Sequence, residues 1–230
     1  MEQISQNKVL IAGIDEAGRG PVIGPMVICV CVIEKTKEKE LISLGVKDSK
    51  MLSPKKRVSL YSEIKKLSTE IITKHLSAAE IDELRKKFTL NEIEQKMMIK
   101  LVSDLKIIPD EIYIDAADVN AKRYGLAFQK EFSKAKIISK HQADKYYPVV
   151  SAASIIAKVQ RDQEIEKLAK QFNEDLGSGY PADPNTKKFL RVYYAKNKKF
   201  PPFVRESWDT VKKLKKEFSQ TKKLSEFFDN

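Results

Sequence analysis

The sequence predicts an α/β fold: a sheet core flanked by helices, with a helical C-terminal part packed on it. Two patterns and the bulk composition support this. Short Val- and Ile-rich runs bounded by turn residues cluster early in the chain. Stretches with apolar residues three and four apart dominate late. Hydrophobic residues make up 42% of 230 and are spread along the whole length, enough for one compact domain or one domain with an appendage.

Taken in order, residues 9–14 read as a buried strand and 26–33 as a second. Gly18, Gly20, Pro21, Gly24 and Pro25 punctuate the link between them, which suits a hairpin-like turn. Ser53 followed by Pro54 starts a helix, because Ser caps the free N–H groups and Pro fits the first helical position. Val58, Tyr61, Ile64 and Leu67 are expected on its packed side, and residues 69–76 read as a third strand. Ser77 with Glu80, and Thr89 with Glu92, fit the capping box. The second opens a helix with Leu90, Ile93, Met97, Leu101 and Leu105 on its apolar stripe. A strand at 111–115, a helix at 120–132 and a strand at 136–139 follow. A long helix is expected from near Ser151, burying Ala152, Ile155, Ile156 and Val159. Asp183-Pro184 opens one more, and Pro201-Pro202 precede a last amphipathic helix around Trp208 to Leu214.

Lys and Arg number 43 against 32 acidic residues, a net charge of +11. That excess favours a polyanionic partner, nucleic acid before a membrane surface. Lys/Glu-rich surfaces also serve stability in heat-adapted proteins, so the charge needs support from motifs. No run approaches the roughly 20 apolar residues of a membrane span, and residues 1–8 lack a signal-peptide pattern. Cys29 and Cys31, two apart on a strand, share a face and have no second cysteine pair with which to bind zinc. They are expected to be small buried residues in a reducing, cytoplasmic protein.

Four carboxylates interrupt or end apolar strands: Asp15, Glu16, Asp115 and Asp144. Each alone reads as a strand-end residue capping a turn. Several at strand ends on one sheet edge point to a site, as in open α/β sheets. Oxygen-only ligands suit Mg²⁺ or Mn²⁺, and two such ions about 3.5–4 Å apart can assist phosphodiester cleavage. Asp15 and Glu16 are neighbours, and neighbours on a regular strand face opposite ways. For Gly18-Arg19-Gly20-Pro21 the dinucleotide fingerprint fails on spacing. A tight turn and a close backbone approach to nucleic acid both stay open. Ser151, Ser154 and Lys158, on the polar side of the long helix, suit either a phosphate seat at its start or an ordinary N-cap with a solvated face, and Arg161 is expected on the solvated face. Lys47 and Lys50 are further phosphate contacts or solvent-facing residues.

In five segments the chain resembles ribonuclease HII in its archaeal form. They are Gly-Ile-Asp15-Glu16-Ala-Gly18-Arg19-Gly20-Pro; Lys47-Asp-Ser-Lys50; Ile-Asp115-Ala-Ala-Asp118-Val-Asn; His141-Gln-Ala-Asp144 running through Ser151 and Ser154 to Lys158; and Gly177-Ser-Gly179-Tyr180-Pro. The resemblance implies an RNase H-like mixed sheet flanked by helices over residues 1–176, a helical region aiding substrate binding over 177–218, and a tail over 219–230. It implies metal ligands at Asp15, Glu16, Asp115 and Asp144, with Mg²⁺ or Mn²⁺ bound. It assigns 2′-hydroxyl recognition to Gly18, Arg19 and Gly20, and sugar packing to Tyr180. The implied substrates are RNA/DNA hybrids and duplex DNA with embedded ribonucleotides, cut to leave 3′-hydroxyl and 5′-phosphate ends by a monomer. Gln142 stands where relatives often carry Lys, a change expected to alter phosphate contacts.

The tail places Leu224, Phe227 and Phe228 in a pattern similar to a peptide that binds the sliding clamp PCNA. Docking of those rings on the protein itself is the alternative. Two other functions compete: a DNA nuclease or resolvase on the same carboxylate plan, and a non-catalytic duplex-binding module.

Overall fold

A computed structural model of the chain describes residues 8–46 and 52–228. Five strands, β1 (Leu10–Ala17), β2 (Met26–Glu34), β3 (Glu70–Leu76), β4 (Glu111–Asp115) and β5 (Lys136–Lys140), form one sheet in the order β3-β2-β1-β4-β5. β1 pairs antiparallel with β2, from Leu10 opposite Glu34 to Ala17 opposite Val27. On its other side β1 runs parallel to β4, and β4 parallel to β5. The sheet is therefore mixed, and the C-terminal ends of β1, β4 and β5 share one edge. β2 is buried along nearly its whole length. Burial on both faces explains why it reads as a continuous apolar run instead of an alternation.

The helices among the described residues are α1 (Glu38–Ser43), α2 (Pro54–Leu67), α3 (Ala78–Leu84), α4 (Leu90–Ser103), α5 (Ala121–Glu131), α6 (Pro148–Phe172), α7 (Pro184–Asn197) and α8 (Asp209–Phe228). Both capping boxes are present, with Ser77 and Thr89 each accepting from the backbone three residues on and Glu80 and Glu92 reaching back. Thr89→Ala is expected to cost about 1 kcal/mol, read as a lower urea midpoint at unchanged slope. Ser53 and Asp183 cap α2 and α7 ahead of their prolines.

Three expectations are corrected. α2 buries Leu60 and Ile64, whereas Val58 is 56% exposed. Its stripe is turned by part of a residue's rotation, so a position on the margin of the face falls into solvent. α4 buries Ile93 and Leu101 as expected, but it buries Met98 and Val102, with Glu94 among them, where Leu90 and Met97 were expected and are only partly buried; a charged residue on the packed face disguises that part of the stripe. α6 starts at Pro148, three residues before Ser151, and every residue from Val149 to Ala157 is buried. A helix buried all round has little amphipathic signal with which to mark its start. α1 has no sequence signal that marks it.

The chain divides into two compact units. One comprises the described residues of Met1–Ala17, Val27–His75 and Thr89–Gln160. Its core joins Ile11, Cys29, Cys31 and Ile33 of the sheet to Leu60, Ile64, Val149, Val150 and Ile156. Both cysteines are free and buried, and burial raises both thiols, Cys31 to about 11. They are inert packing groups. The other unit comprises the described residues of Gly18–Met26, Leu76–Phe88 and Arg161–Asn230. Its core gathers Val22, Ile23, Leu176, Phe189, Leu190, Phe203, Val204 and Val211. Among the described residues no helix is long and apolar enough to cross a membrane.

Candidate active site

In the first unit, β1 lies between β2 and β4, with the N-terminal turn of α6 against its backbone. Gly13 makes that approach possible. A Cβ there would stand 2.2 Å from the Val149 carbonyl oxygen, closer than any side chain tolerates. Seated this way, α6 brings Ser154 to hydrogen-bond the carboxylate of Asp15, with Lys158 near enough for its charge to act on the same group. Lys158 Nζ in turn donates to Ser154 Oγ at 3.2 Å.

Asp115 ends β4, one strand away from Asp15. After β5 the chain turns through Gln142, which adopts a left-handed φ of 54°, into a short 3-10 turn at Ala143–Lys145. That turn folds Asp144 back into the protein, where it is 2% exposed. The Ala143 N–H donates to Asp115 Oδ1 at 3.2 Å, tying the turn to the end of β4. His141 Nδ1 lies 3.2 Å from the Ala116 carbonyl oxygen; since a carbonyl only accepts, that nitrogen carries the hydrogen. As a result Asp15, Asp115 and Asp144 offer oxygens that all lie within 4.8 Å of one another.

Glu16 stands beside this trio. Its N–H donates to Asp15 Oδ1 at 2.8 Å, but the side chains alternate: Asp15 pairs with Cys29 and is buried, Glu16 pairs with Ile28 and is partly exposed. β1 continues regularly to Ala17, so the two side chains start from opposite faces of the strand, yet the Glu16 charge still acts on Asp15. Three of the four expected ligands are gathered, and the fourth flanks them.

Three close carboxylates repel, and burial removes the water that would screen them. Burial first, then the charges of Glu16 and Asp115, hold the Asp15 carboxyl well above the usual range, against the opposing pull of Ser154 and Lys158. A hard divalent cation is the partner such an all-oxygen donor set fits.

A phosphate seat at Ser151 and Ser154 is not built. α6 begins earlier, so these residues are not at its free N–H groups, and both hydroxyls are buried. Lys158 is partly exposed. Lys47 and Lys50 lie outside the described residues, as do the side chains of Leu224, Phe227 and Phe228.

The second unit carries the Gly18-Arg19-Gly20 loop. Gly18 has a φ of +85°, and a Cβ there would stand 2.6 Å from the Pro25 carbonyl oxygen, so only glycine fits. A Cβ on Gly20 would reach the Tyr180 ring at 3.4 Å. Tyr180 is 45% exposed and follows a turn held by Asp183, whose carboxylate accepts from the Ser178 N–H and hydroxyl and from the first turn of α7. Arg161 is buried, contrary to the solvated face expected for it. It donates to the Ser178 carbonyl at 3.0 Å and its guanidinium lies 5.6 Å from the Tyr180 ring centre.

Sequence reasoning missed Gly13, an isolated glycine in a strand, and that pattern is itself a sign of close backbone approach. It also missed Arg205 and Trp208, which hydrogen-bond the carbonyls of the glycine loop. One arginine in a chain with 43 basic residues carries no signal.

The ribonuclease HII family model matches residues 12–211. A ribonuclease HII from Pyrococcus abyssi is 47% identical over 211 residues, covering 91% of this chain and 93% of the relative. The crystal structure of ribonuclease H2 from Pyrococcus horikoshii OT3 superposes with a TM-score of 0.86 at 44% identity, over 92% of this chain and 99% of that one. A structure of the PCNA:RNase HII complex from Archaeoglobus fulgidus matches with a TM-score of 0.80 at 40% identity, over 89% of this chain and 96% of that one. The chain belongs to the ribonuclease HII family and is by that membership a ribonuclease H, an endonuclease acting on RNA/DNA.

Proposed function

We propose that the protein cuts the RNA strand of RNA/DNA hybrids and incises duplex DNA on the 5′ side of an embedded ribonucleotide, leaving 3′-hydroxyl and 5′-phosphate ends. The observation that carries this reading is the trio Asp15, Asp115 and Asp144, with oxygens within 4.8 Å of one another. These residues would hold Mg²⁺ or Mn²⁺, with Glu16 as a further ligand at the margin. Two such cations, when bound, supply an activated water and charge stabilisation of the leaving oxygen.

The chain's own residues do the rest. Ser154 and Lys158 orient and partly neutralise Asp15. The 2′-hydroxyl is what distinguishes RNA from DNA at one position, and we assign its recognition to Gly18, Arg19 and Gly20, which follow Glu16 within four residues. Tyr180 presents its ring beside Gly20 and would pack on the sugar that follows the ribonucleotide. Action on genomic nucleic acid goes with a cytoplasmic site of work. For the tail, the pattern of Leu224, Phe227 and Phe228 and the PCNA in the Archaeoglobus structure support a second proposal, that this segment engages a sliding clamp.

The test is a labelled DNA duplex carrying one ribonucleotide, beside all-DNA and all-RNA duplexes, with Mg²⁺, with Mn²⁺ and with EDTA. A nick 5′ of the ribonucleotide, absent from all-DNA and abolished by EDTA, is expected. Equal cutting of the all-DNA duplex would make the protein a general DNA nuclease. No cutting of any duplex would make it a binding module.

A further inference from the structure

Arg205 is fully buried, one of the largest side chains in that state among the described residues. Its three donor nitrogens go to three carbonyls of one loop: Nε to Gly24 at 3.0 Å, Nη1 to Arg19 at 3.1 Å and Nη2 to Gly18 at 2.6 Å. The Trp208 indole N–H donates to the Gly20 carbonyl at 3.1 Å, and its ring lies 4.9 Å from the Arg205 guanidinium carbon. The Arg85 guanidinium also lies 5.4 Å from the Trp208 ring centre, and the Glu206 and Ser207 N–H groups donate to Asp82. The carbonyls of Gly18, Arg19 and Gly20 are thus all committed to one pair of side chains.

In a planar trans peptide the C=O of one residue and the N–H of the next point in opposite directions. With the Gly18 and Arg19 carbonyls drawn onto Arg205, the N–H groups of Arg19 and Gly20 are turned away from it, side by side. Two adjacent N–H groups presented this way are suited to an oxygen acceptor. Pro21, next in line, has no N–H, so the array ends there.

We propose that Arg205, with Trp208 as its support, is the positioning residue that sets the 18–24 loop in its 2′-hydroxyl-reading conformation. The inference rests on the assignment of that loop to ribose recognition. A planar fork is needed for three divergent bonds of this kind, and a lysine ammonium, a point charge on a flexible stem, does not reproduce it. Burial, with the nearby Arg161 adding to it, lowers Arg205 to about 9, so it stays charged at neutral pH.

The experiment compares the wild-type chain with Arg205→Lys and Trp208→Phe. Affinity is measured in Ca²⁺ for a duplex with one ribonucleotide and for the same all-DNA duplex, with cleavage rates in Mg²⁺ and melting temperatures alongside. Arg205→Lys is expected to reduce the ribonucleotide-to-DNA affinity ratio by about tenfold or more, and Trp208→Phe by a few-fold, roughly the loss of one to two charge-assisted or neutral hydrogen bonds. All-DNA affinity and Mn²⁺ binding are expected to stay unchanged, which separates loop positioning from general unfolding. If Arg205→Lys does not fold, Trp208→Phe decides, since it keeps an aromatic ring in place while removing the indole donor and some of the ring's contact area. Folded variants that keep the wild-type ratio overturn the proposal while leaving the function intact. A wild-type chain with no preference for the ribonucleotide overturns the loop's assignment and this inference together.

Discussion

Asp15→Asn is expected to abolish cleavage and, at the same time, to raise the melting temperature of the metal-free protein. The two effects have one cause. Asp15 is buried among carboxylates, so its ionised form is disfavoured and its proton affinity is raised in the fold. A carboxyl raised in this way adds stability while it remains protonated in the native state, and that contribution is lost as pH rises through its folded value. The metal-free wild type should therefore lose stability as pH rises from the ordinary carboxylate range upward through the Asp15 titration. The Asn variant, nearly the same shape without the charge, should lack that slope. Relief of about 1 kcal/mol would appear as a rise of about 2–4 °C for a chain of this size. Loss of the proposed cation ligand should meanwhile cost more than about a hundredfold in cleavage rate. Thermal melts across pH in EDTA, beside single-turnover cleavage in Mg²⁺, read both. A variant that melts lower than wild type at every pH would mean that Asp15 serves the fold and not the chemistry.

Gly13→Ala should do the opposite, lowering stability and activity together. The added carbon would stand 2.2 Å from the Val149 carbonyl oxygen, 2.3 Å from its carbon and 2.5 Å from the Val150 nitrogen. All three are backbone atoms at the start of α6, so no side chain can swing aside. β1 is held on both sides by β2 and β4, and α6 must move instead. Overpacking of this kind costs about 3 kcal/mol or more, seen in the urea midpoint. Displacing α6 also draws Ser154 and Lys158 from Asp15, so residual folded protein should cut more slowly. Gly45 is the control: a Cβ there meets nothing within 4 Å, and only its φ of +80° resists substitution. Gly45→Ala should cost about 1 kcal/mol and leave the cleavage rate of the folded protein unchanged.

Much of the fold was legible because its signals are local. Ser53-Pro54, Asp183-Pro184 and the two capping boxes mark helix starts by the backbone groups they satisfy, and β2 declares itself by an uninterrupted apolar run. The carboxylates were legible for a related reason: acids at the ends of strands are costly unless they serve something. What stayed hidden depends on contacts between distant segments. Nothing local tells that 18–26 and 76–88 join Arg161 and beyond in one compact unit. Arg205 reaches a loop more than 180 positions away, and Arg161 is buried by residues that its own helix pattern does not include. The start of α6 was misplaced for the same reason, since burial on every side erases its period.

Asp15, Asp115 and Asp144 are proposed to form one divalent-cation site. Calorimetric titration of Mn²⁺ into metal-free wild type, Asp15→Asn and Asp144→Asn tests it most directly. Saturable binding to the wild type, strongly weakened in both folded variants, is the predicted result. Equal binding in all three would place the cation away from these carboxylates.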